Sequence, residues 1–446
     1  MTTIAPSAPA PSSAASSAVS RATAFLDALF PVPRPFHVRL WEGTVLPAHG
    51  TAEITLVLRT PGALRRMFRL PLEARLGEAY LRGDFDLEGE LWKVGPALEA
   101  ARRAATSPAE LLRLARLWRA LPRDGAARAG PAAARMGARE WTREWDREGI
   151  RYHYDAGNDF YALFLDRRMV YSCAYFATPR DDIHTAQERK LEHICRKLRL
   201  RAGERLLDVG CGWGGLVMYA AERYGVHAVG VTLSQAQAEL ARERVRRAGL
   251  QDRVRIELGD YRDLDAQSFD KAASVGMFEH VGPARLPEYF AHVHRLLKPG
   301  GLFLNHGIGN RPVRPASPAR RAARRAVRRW VLGTGHYTRS YVFPSGGAVP
   351  VSHANLVAEA AGWEVRDVEN LREHYGHTLR NWARRLEEHR DDAMRLDART
   401  YRIWRLYLGV ASWQFTSGEL AVYQTLLEKP PQDGTALPLT RADIYA

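Results

Sequence analysis

The sequence predicts an α/β fold: a doubly wound, Rossmann-like sheet domain preceded by a small N-terminal α+β domain. Three observations carry this. From about residue 200 onward, strand-like and helix-like segments alternate. A glycine-rich turn, LLDVGCGWGG (206–215), follows the first of those strands. A run with little apolar periodicity, 121–138, separates this region from an earlier group of short alternating strands.

The predicted strands of the sheet domain are RLLDVG (205–210), HAVGVTL (227–233), RVRIELG (253–259), DKAASVG (270–276) and GLFLNHGIG (301–309). Between them GLVMYAAERY, SQAQAELARERVRRA and LPEYFAHVHRLL have helical spacing. Further helix is expected at 351–361 and 377–405, and late strands at WEVRDVENL and LAVYQTLLEK. Earlier in the chain, HVRLWEGTVL and AEITLVLRT alternate like strands, and LLRLARLWRAL has helical spacing. The expected organisation is a disordered Ala/Ser/Pro tail at 1–23, the small domain at 24–120, a linker at 121–138, the sheet domain at 139–430 and a C-terminal tail at 431–446.

At 446 residues and 46% hydrophobic composition, the chain is long enough for two or three domains with buried cores. It contains no apolar run of roughly 18 residues, so no transmembrane helix is expected. The N-terminus lacks the basic start and apolar core of a secretory signal. Cys173, Cys195 and Cys211 show no metal-like spacing and read as reduced thiols, which fits a cytoplasmic protein. The net charge of +15 favours an anionic partner, either nucleic acid or an acidic bilayer. An arginine and alanine bias of the whole genome would produce the same charge.

Gly210, Gly212 and Gly214 lie where the first strand turns into the first helix, allowing close backbone approach to a nucleoside-type ligand. A glycine-rich turn of this kind also suits a dinucleotide or a purely structural role. Asp208 places negative charge just before the turn, which suits a cationic, amino-bearing cofactor and disfavours a dinucleotide. S-adenosyl-L-methionine is the expected cofactor, and the domain is expected to be a class I methyltransferase. Thr232, Ser234 and Gln237, after the second strand, are candidates to hold the ribose; Ser234 is equally a helix N-cap. Asp260 and Tyr261, after the third strand, are candidates to flank the adenine; a loop cap is the plain alternative.

YSCAYF (171–176), LLDVGCGWGG (206–215), VTLSQAQ (231–237), GMFEHVG (276–282), HGIG (306–309) and HYGHTLRNW (374–382) occur in this order. Together they resemble the cyclopropane-fatty-acyl-phospholipid synthase family, which includes the mycolic acid cyclopropane synthases. The resemblance spans roughly 145–430, and LGEAYLRGDFDLEG (76–89) looks like the small N-terminal domain of the phospholipid-acting members. It implies transfer of a methylene group from S-adenosyl-L-methionine to the double bond of unsaturated phospholipid acyl chains. An alkene has no acidic proton, so its π electrons attack the sulfonium methyl and leave a carbocation. Ring closure then needs a base that does not trap the cation. The resemblance implies a bound bicarbonate for that step, held by Cys173, Glu279, His306, Ile308 through its backbone, and Tyr375. A carboxylate in an anion site implies that Glu279 and bicarbonate share a proton.

Cofactor contacts carried over from the family fall on Tyr171, Ser172, Gly210, Gly212, Thr232, Gln237, Asp260 and Tyr261. Tyr375, with Tyr171, Tyr175 and Phe176, is expected to form an aromatic wall suited to a sulfonium and a carbocation. Two places depart from the family: Ala411 stands where many members carry a cysteine, and Ser345 is inserted in YVFPSGG. PARRAARRAVRRWVL (318–332) reads as a basic amphipathic helix for an anionic membrane surface. The expected protein is thus peripheral to the inner face of the membrane. A methyl- or methylene-branched product is a close alternative. A basic RNA methyltransferase is a distant one, because no RNA-binding module accompanies the arginines and nucleic acid is not the expected partner. A homodimer is one option left open.

Overall fold

The computed structural model describes residues 13–30, 34–103, 108–123, 142–154, 156–266, 269–310, 335–344, 347–431, 434 and 437–445. The basic segment 318–332, the inserted Ser345 and most of the expected linker lie outside the described residues. The chain divides into two compact units, Met1–Ala132 with Ala316–Tyr337, and Ala133–Pro315 with Thr338–Ala446. The sheet domain, expected to be continuous, is therefore interrupted by a segment that belongs to the first unit.

In the first unit, β1 (His37–Arg39), β2 (Val45–Leu46), β3 (Ile54–Leu58) and β4 (Phe85–Gly89) form a sheet in the order β2-β1-β3-β4. β1 runs parallel to β3, and the other two pairings are antiparallel. The expected tail does not hold up to residue 23. Ser13–Leu29 is a helix that buries Ala22, Phe25 and Leu26, three residues on one face. The helix Leu72–Arg82 ends at Gly83, whose φ of +75° supplies the left-handed cap before β4. Glu73 on that helix accepts the backbone N–H groups of Gly335 (2.8 Å) and Tyr337 (3.1 Å). The Tyr337 ring lies so close to Gly77 that a Cβ there would meet it at 2.3 Å.

In the second unit, β5 (Arg205–Val209), β6 (His227–Thr232), β7 (Val254–Leu258), β8 (Phe269–Val275), β9 (Leu297–Asn310), β10 (Glu364–Asn370) and β11 (Leu420–Glu428) form one sheet. Its order is β10-β11-β9-β8-β5-β6-β7, with β11 antiparallel to both neighbours and all other pairings parallel. All seven predicted strands form. Buried side chains of helices Ile183–Lys197, Gly215–Tyr224 and Gln235–Arg247 make one core cluster. Those of Leu286–Leu296 and Val351–Ala360 join a second. β5 has β6 on one side and β8 on the other, so the chain reverses its winding there and opens a crevice at the carboxyl ends of the strands.

Two more expectations are corrected. The helix expected at 377–405 is two, Arg372–Glu388 and Arg390–Thr416, the second broken at Asp397. The C-terminal segment, expected as a tail, packs on the unit: Asp443 pairs with Arg199 at 2.7 Å, Arg441 with Asp367 at 2.6 Å, and Ile444 is buried. Among the described residues, no helix is long and apolar enough to cross a membrane.

Candidate active site

A cavity of about 330 Å³ lies at the carboxyl ends of β5, β6, β8 and β9. Its floor is the glycine turn. Gly210 and Gly212 line it with φ of +85° and +54°, values that L side chains rarely adopt. At Gly210 a Cβ would also stand 2.9 Å from Met277. Gly214 does not line the cavity. Its φ of +81° serves the N-cap of the helix Gly215–Tyr224. Ser234 is likewise absent from the lining and caps the helix Gln235–Arg247 by accepting the Gln237 N–H. Thr232 and Gln237 do reach the cavity, and the Thr232 hydroxyl donates to Gln237 Oε1 at 2.8 Å.

Asp260 and Tyr261 line the wall. Asp260 also caps its own loop: its carboxylate accepts the Arg262 N–H and is paired with the Arg262 guanidinium, which in turn holds Asp146 at 3.0 Å. Although burial works against it, the Arg262 hydrogen bonds keep the Asp260 carboxyl below its ordinary range.

Asp208 is buried at the end of β5, and its Oδ1 has no hydrogen-bond partner. Burial pushes its carboxyl up to about 7, against the pull of Lys190. Lys190 is itself fully enclosed and donates to the Ser172 hydroxyl at 2.9 Å. An orphaned carboxylate oxygen facing a cavity suits a cationic amino group of a ligand. The sequence reading missed Lys190, and it missed the helix Arg143–Tyr154, which contributes Asp146, Ile150 and Tyr154 to the lining. No local motif marks either.

The segment 171–176 is stitched to the helix Arg372–Glu388. Ala174 N–H donates to Thr378 Oγ1 and Phe176 N–H to His374 Nδ1, both at 3.0 Å. Two motifs some 200 residues apart thus form one wall, with Tyr171, Ser172, Cys173 and Tyr375 lining the cavity. Tyr175 and Phe176 do not. Tyr175 lies between His193 and His374, with ring centroids at 4.4 and 4.7 Å. The aromatic wall is instead completed by Tyr154, Trp213, Phe343, Tyr407 and Phe415. The Tyr171 ring stacks on Trp382, with centroids 5.2 Å apart.

Glu279, His306 and Ile308 meet in the same cavity. The Ile308 N–H donates to Glu279 Oε1 at 2.7 Å, so the backbone group expected to reach a ligand holds the carboxyl in place. Glu279 Oε2 and His306 Nε2 are both shielded from solvent without a partner. Burial lifts the Glu279 carboxyl to about 7 and depresses the His306 imidazole to about 3. Near neutral pH the site therefore offers an acid that can either hold or release its proton, and a neutral imidazole. Burial also pushes the Cys173 thiol well up, and it donates to Ala174 O at 3.3 Å. It is a thiol, not a nucleophilic thiolate. Ala411 lies in the lining and is buried.

Residues 142–425 match the family model for mycolic acid cyclopropane synthetase. The chain belongs to this family. It is an S-adenosylmethionine-dependent methyltransferase of the cyclopropane synthase type. Relatives of the family extend over nearly the whole chain: a probable fatty acid methyltransferase from Pseudomonas putida is 39% identical over 414 residues, 92% of this chain and 96% of the relative. The cyclopropane-fatty-acyl-phospholipid synthase of Escherichia coli is 38% identical over 283 residues, 63% of this chain and 68% of the relative. A mycolic acid cyclopropane synthase solved with SAH and CTAB superposes with a TM-score of 0.57 at 32% identity, covering 64% of this chain and 98% of that one. These structures share the Rossmann-like fold.

Proposed function

We propose that this enzyme adds a methylene group to the double bond of unsaturated phospholipid acyl chains and closes a cyclopropane ring, with bicarbonate as the base. The observation that carries the reading is the pair of unpartnered, shielded atoms Glu279 Oε2 and His306 Nε2 in one apolar cavity. A carboxyl held near its midpoint can share a proton with an oxyanion, where an ordinary carboxylate would repel it. Cys173 and Tyr375 close the same pocket.

When bound, S-adenosylmethionine supplies an electrophilic sulfonium methyl, and bicarbonate supplies a base that does not esterify a cation. The residues for the first group fit. Asp208 has an orphaned oxygen for its amino group, Gly210 and Gly212 bring backbone close, and Thr232, Gln237, Asp260 and Tyr261 line the rest. Tyr171, Tyr375, Tyr407 and Phe415 line the cavity with aromatic rings, whose π faces favour positive charge on the acyl chain and whose bulk excludes water. With positive charge on the whole chain, an anionic bilayer on the cytoplasmic side is the proposed source of substrate.

A second reading keeps the site and ends in a methyl- or methylene-branched chain. It is favoured by the name of the Pseudomonas relative, a probable fatty acid methyltransferase matching nearly end to end. Purified enzyme assayed with labelled S-adenosylmethionine and vesicles of unsaturated or saturated phosphatidylglycerol, in bicarbonate-depleted and restored buffer, tests the proposal. Label entering only unsaturated lipid, and only with bicarbonate, supports it. Transfer to saturated lipid, or turnover indifferent to bicarbonate, contradicts it.

A further inference from the structure

β9, β11 and β10 are neighbours, and their register sets His306 opposite Gln424 and Gln424 opposite Glu369. Residues directly opposite each other share a face of the sheet. Here it is the face from which His306 enters the cavity. Gln424 is fully buried, and its Nε2 lies 3.2 Å from Nδ1 of His306. At the far end of the row, Glu369 accepts from His193 Nε2 at 2.7 Å and Lys197 Nζ at 2.6 Å. Both come from the helix Ile183–Lys197, which buries Lys190, His193 and Lys197 along one stripe. An amphipathic helix ordinarily keeps such a stripe apolar.

An amide NH₂ can only donate, so the His306 nitrogen facing it must be the bare one. A neutral imidazole then carries its proton on Nε2, the atom that is shielded and has no partner among the described residues. We propose that Gln424 is a positioning residue that fixes His306 as the Nε2–H tautomer. His306 thereby offers the cavity a hydrogen-bond donor for an oxyanion and is not a base. The role of that donor rests on the oxyanion-binding reading given above; the tautomer itself does not. Proton acceptance from the reacting centre then falls to the bound oxyanion.

In the orientation seen, the Gln424 NH₂ faces His306 Nδ1, and Gln424 Oε1 has no hydrogen-bond partner among the described residues. The reversed amide would present Oε1 to an Nδ1–H and leave Nε2 bare. A carboxylate at 424 would also demand Nδ1–H, and would stabilise the imidazolium among the titratable groups near His306, namely Lys190, Lys197, Glu369 and His193.

Long-range ¹H–¹⁵N spectra of histidine-labelled protein decide the tautomer, with the His306 signals assigned by their loss in His306→Gln. The wild type is expected to show a protonated Nε2 and a bare Nδ1. Gln424→Glu is expected to move the proton to Nδ1 and introduce a titration that the wild type lacks. Gln424→Leu is expected to mix the tautomers and raise the half-saturating bicarbonate concentration roughly tenfold or more, with S-adenosylmethionine affinity retained. A wild-type His306 protonated on Nδ1 overturns the proposal, and so does a Gln424→Leu protein with an unchanged tautomer. A wild type that turns over without bicarbonate defeats the proposed function alone, because the spectrum reports on Gln424 independently of that ion.

Discussion

The backbone N–H of Ile308 donates to Glu279 Oε1 at 2.7 Å and leaves Oε2 facing the cavity without a partner. One oxygen is thus held by the backbone and the other faces the cavity. Glu279→Gln keeps an acceptor for Ile308 but loses the shared proton. Its kcat is expected to fall by about 10²–10⁴-fold, the usual range for a proton-transfer group. Its affinity for S-adenosylmethionine, measured by calorimetry, is expected to stay within about twofold.

Burial raises the Glu279 carboxyl from 4.5 to about 7. The acid is therefore protonated below pH 7 and loses its proton as the pH rises through that value. Bicarbonate affinity is expected to be level below pH 7 and to weaken by about tenfold per pH unit above it. Folding follows the same sign. Between pH 4.5 and 7 the folded state binds more protons than the unfolded state at Glu279, and Asp208, also raised to about 7, adds to this. The contribution of these two acids to stability falls as pH rises across that window. Denaturant titrations of a Glu279→Gln, Asp208→Asn double variant should show a flatter profile there than the wild type.

Asp208 offers a buried oxygen without a partner to the ligand. Asp208→Asn is expected to weaken S-adenosylmethionine binding by about 10- to 100-fold, the range of a charge-assisted hydrogen bond. An equal loss for S-adenosylhomocysteine, which lacks the sulfonium charge, would place Asp208 on the amino group; retained affinity for both would remove it from the site.

Lys197 is fully enclosed between Asp367, at 3.2 Å, and Glu369, at 2.6 Å. Lys197→Met leaves both carboxylates without their buried cation. Unfolding by denaturant should show a loss of about 3–5 kcal/mol, as for other broken buried pairs. Adding Glu369→Gln should recover part of it.

The sheet was legible because each strand is an apolar run closed by turn residues, and LLDVGCGWGG marks the switch point within one short stretch. Several residues that line the cavity were also legible, since YSCAYF, GMFEHVG and HGIG keep theirs close in sequence. Gly214 and Ser234 stand at helix N-caps, where positive φ and helix capping select the same residue types as ligand contact does. Lys190, His193 and Lys197 were missed because, by pattern alone, polar residues on a helix belong to its solvent face. Their burial depends on carboxylates from other segments, Asp166 and Asp208 for Lys190 and, from distant β10, Asp367 and Glu369 for Lys197. At the N-terminus, the alanine and serine content masked the spacing of Ala22, Phe25 and Leu26, which packs the helix.

A ring formed on a lipid double bond changes both the mass of the acyl chain and its sensitivity to ozone. Expressing the protein in a host without such an enzyme and analysing its acyl chains by mass spectrometry, before and after ozone treatment, tests ring formation most directly. The account predicts chains heavier by one CH₂ that resist ozone, because the alkene has become a cyclopropane. Chains heavier by one CH₂ that ozone still cleaves, or acyl chains left unchanged, would contradict it.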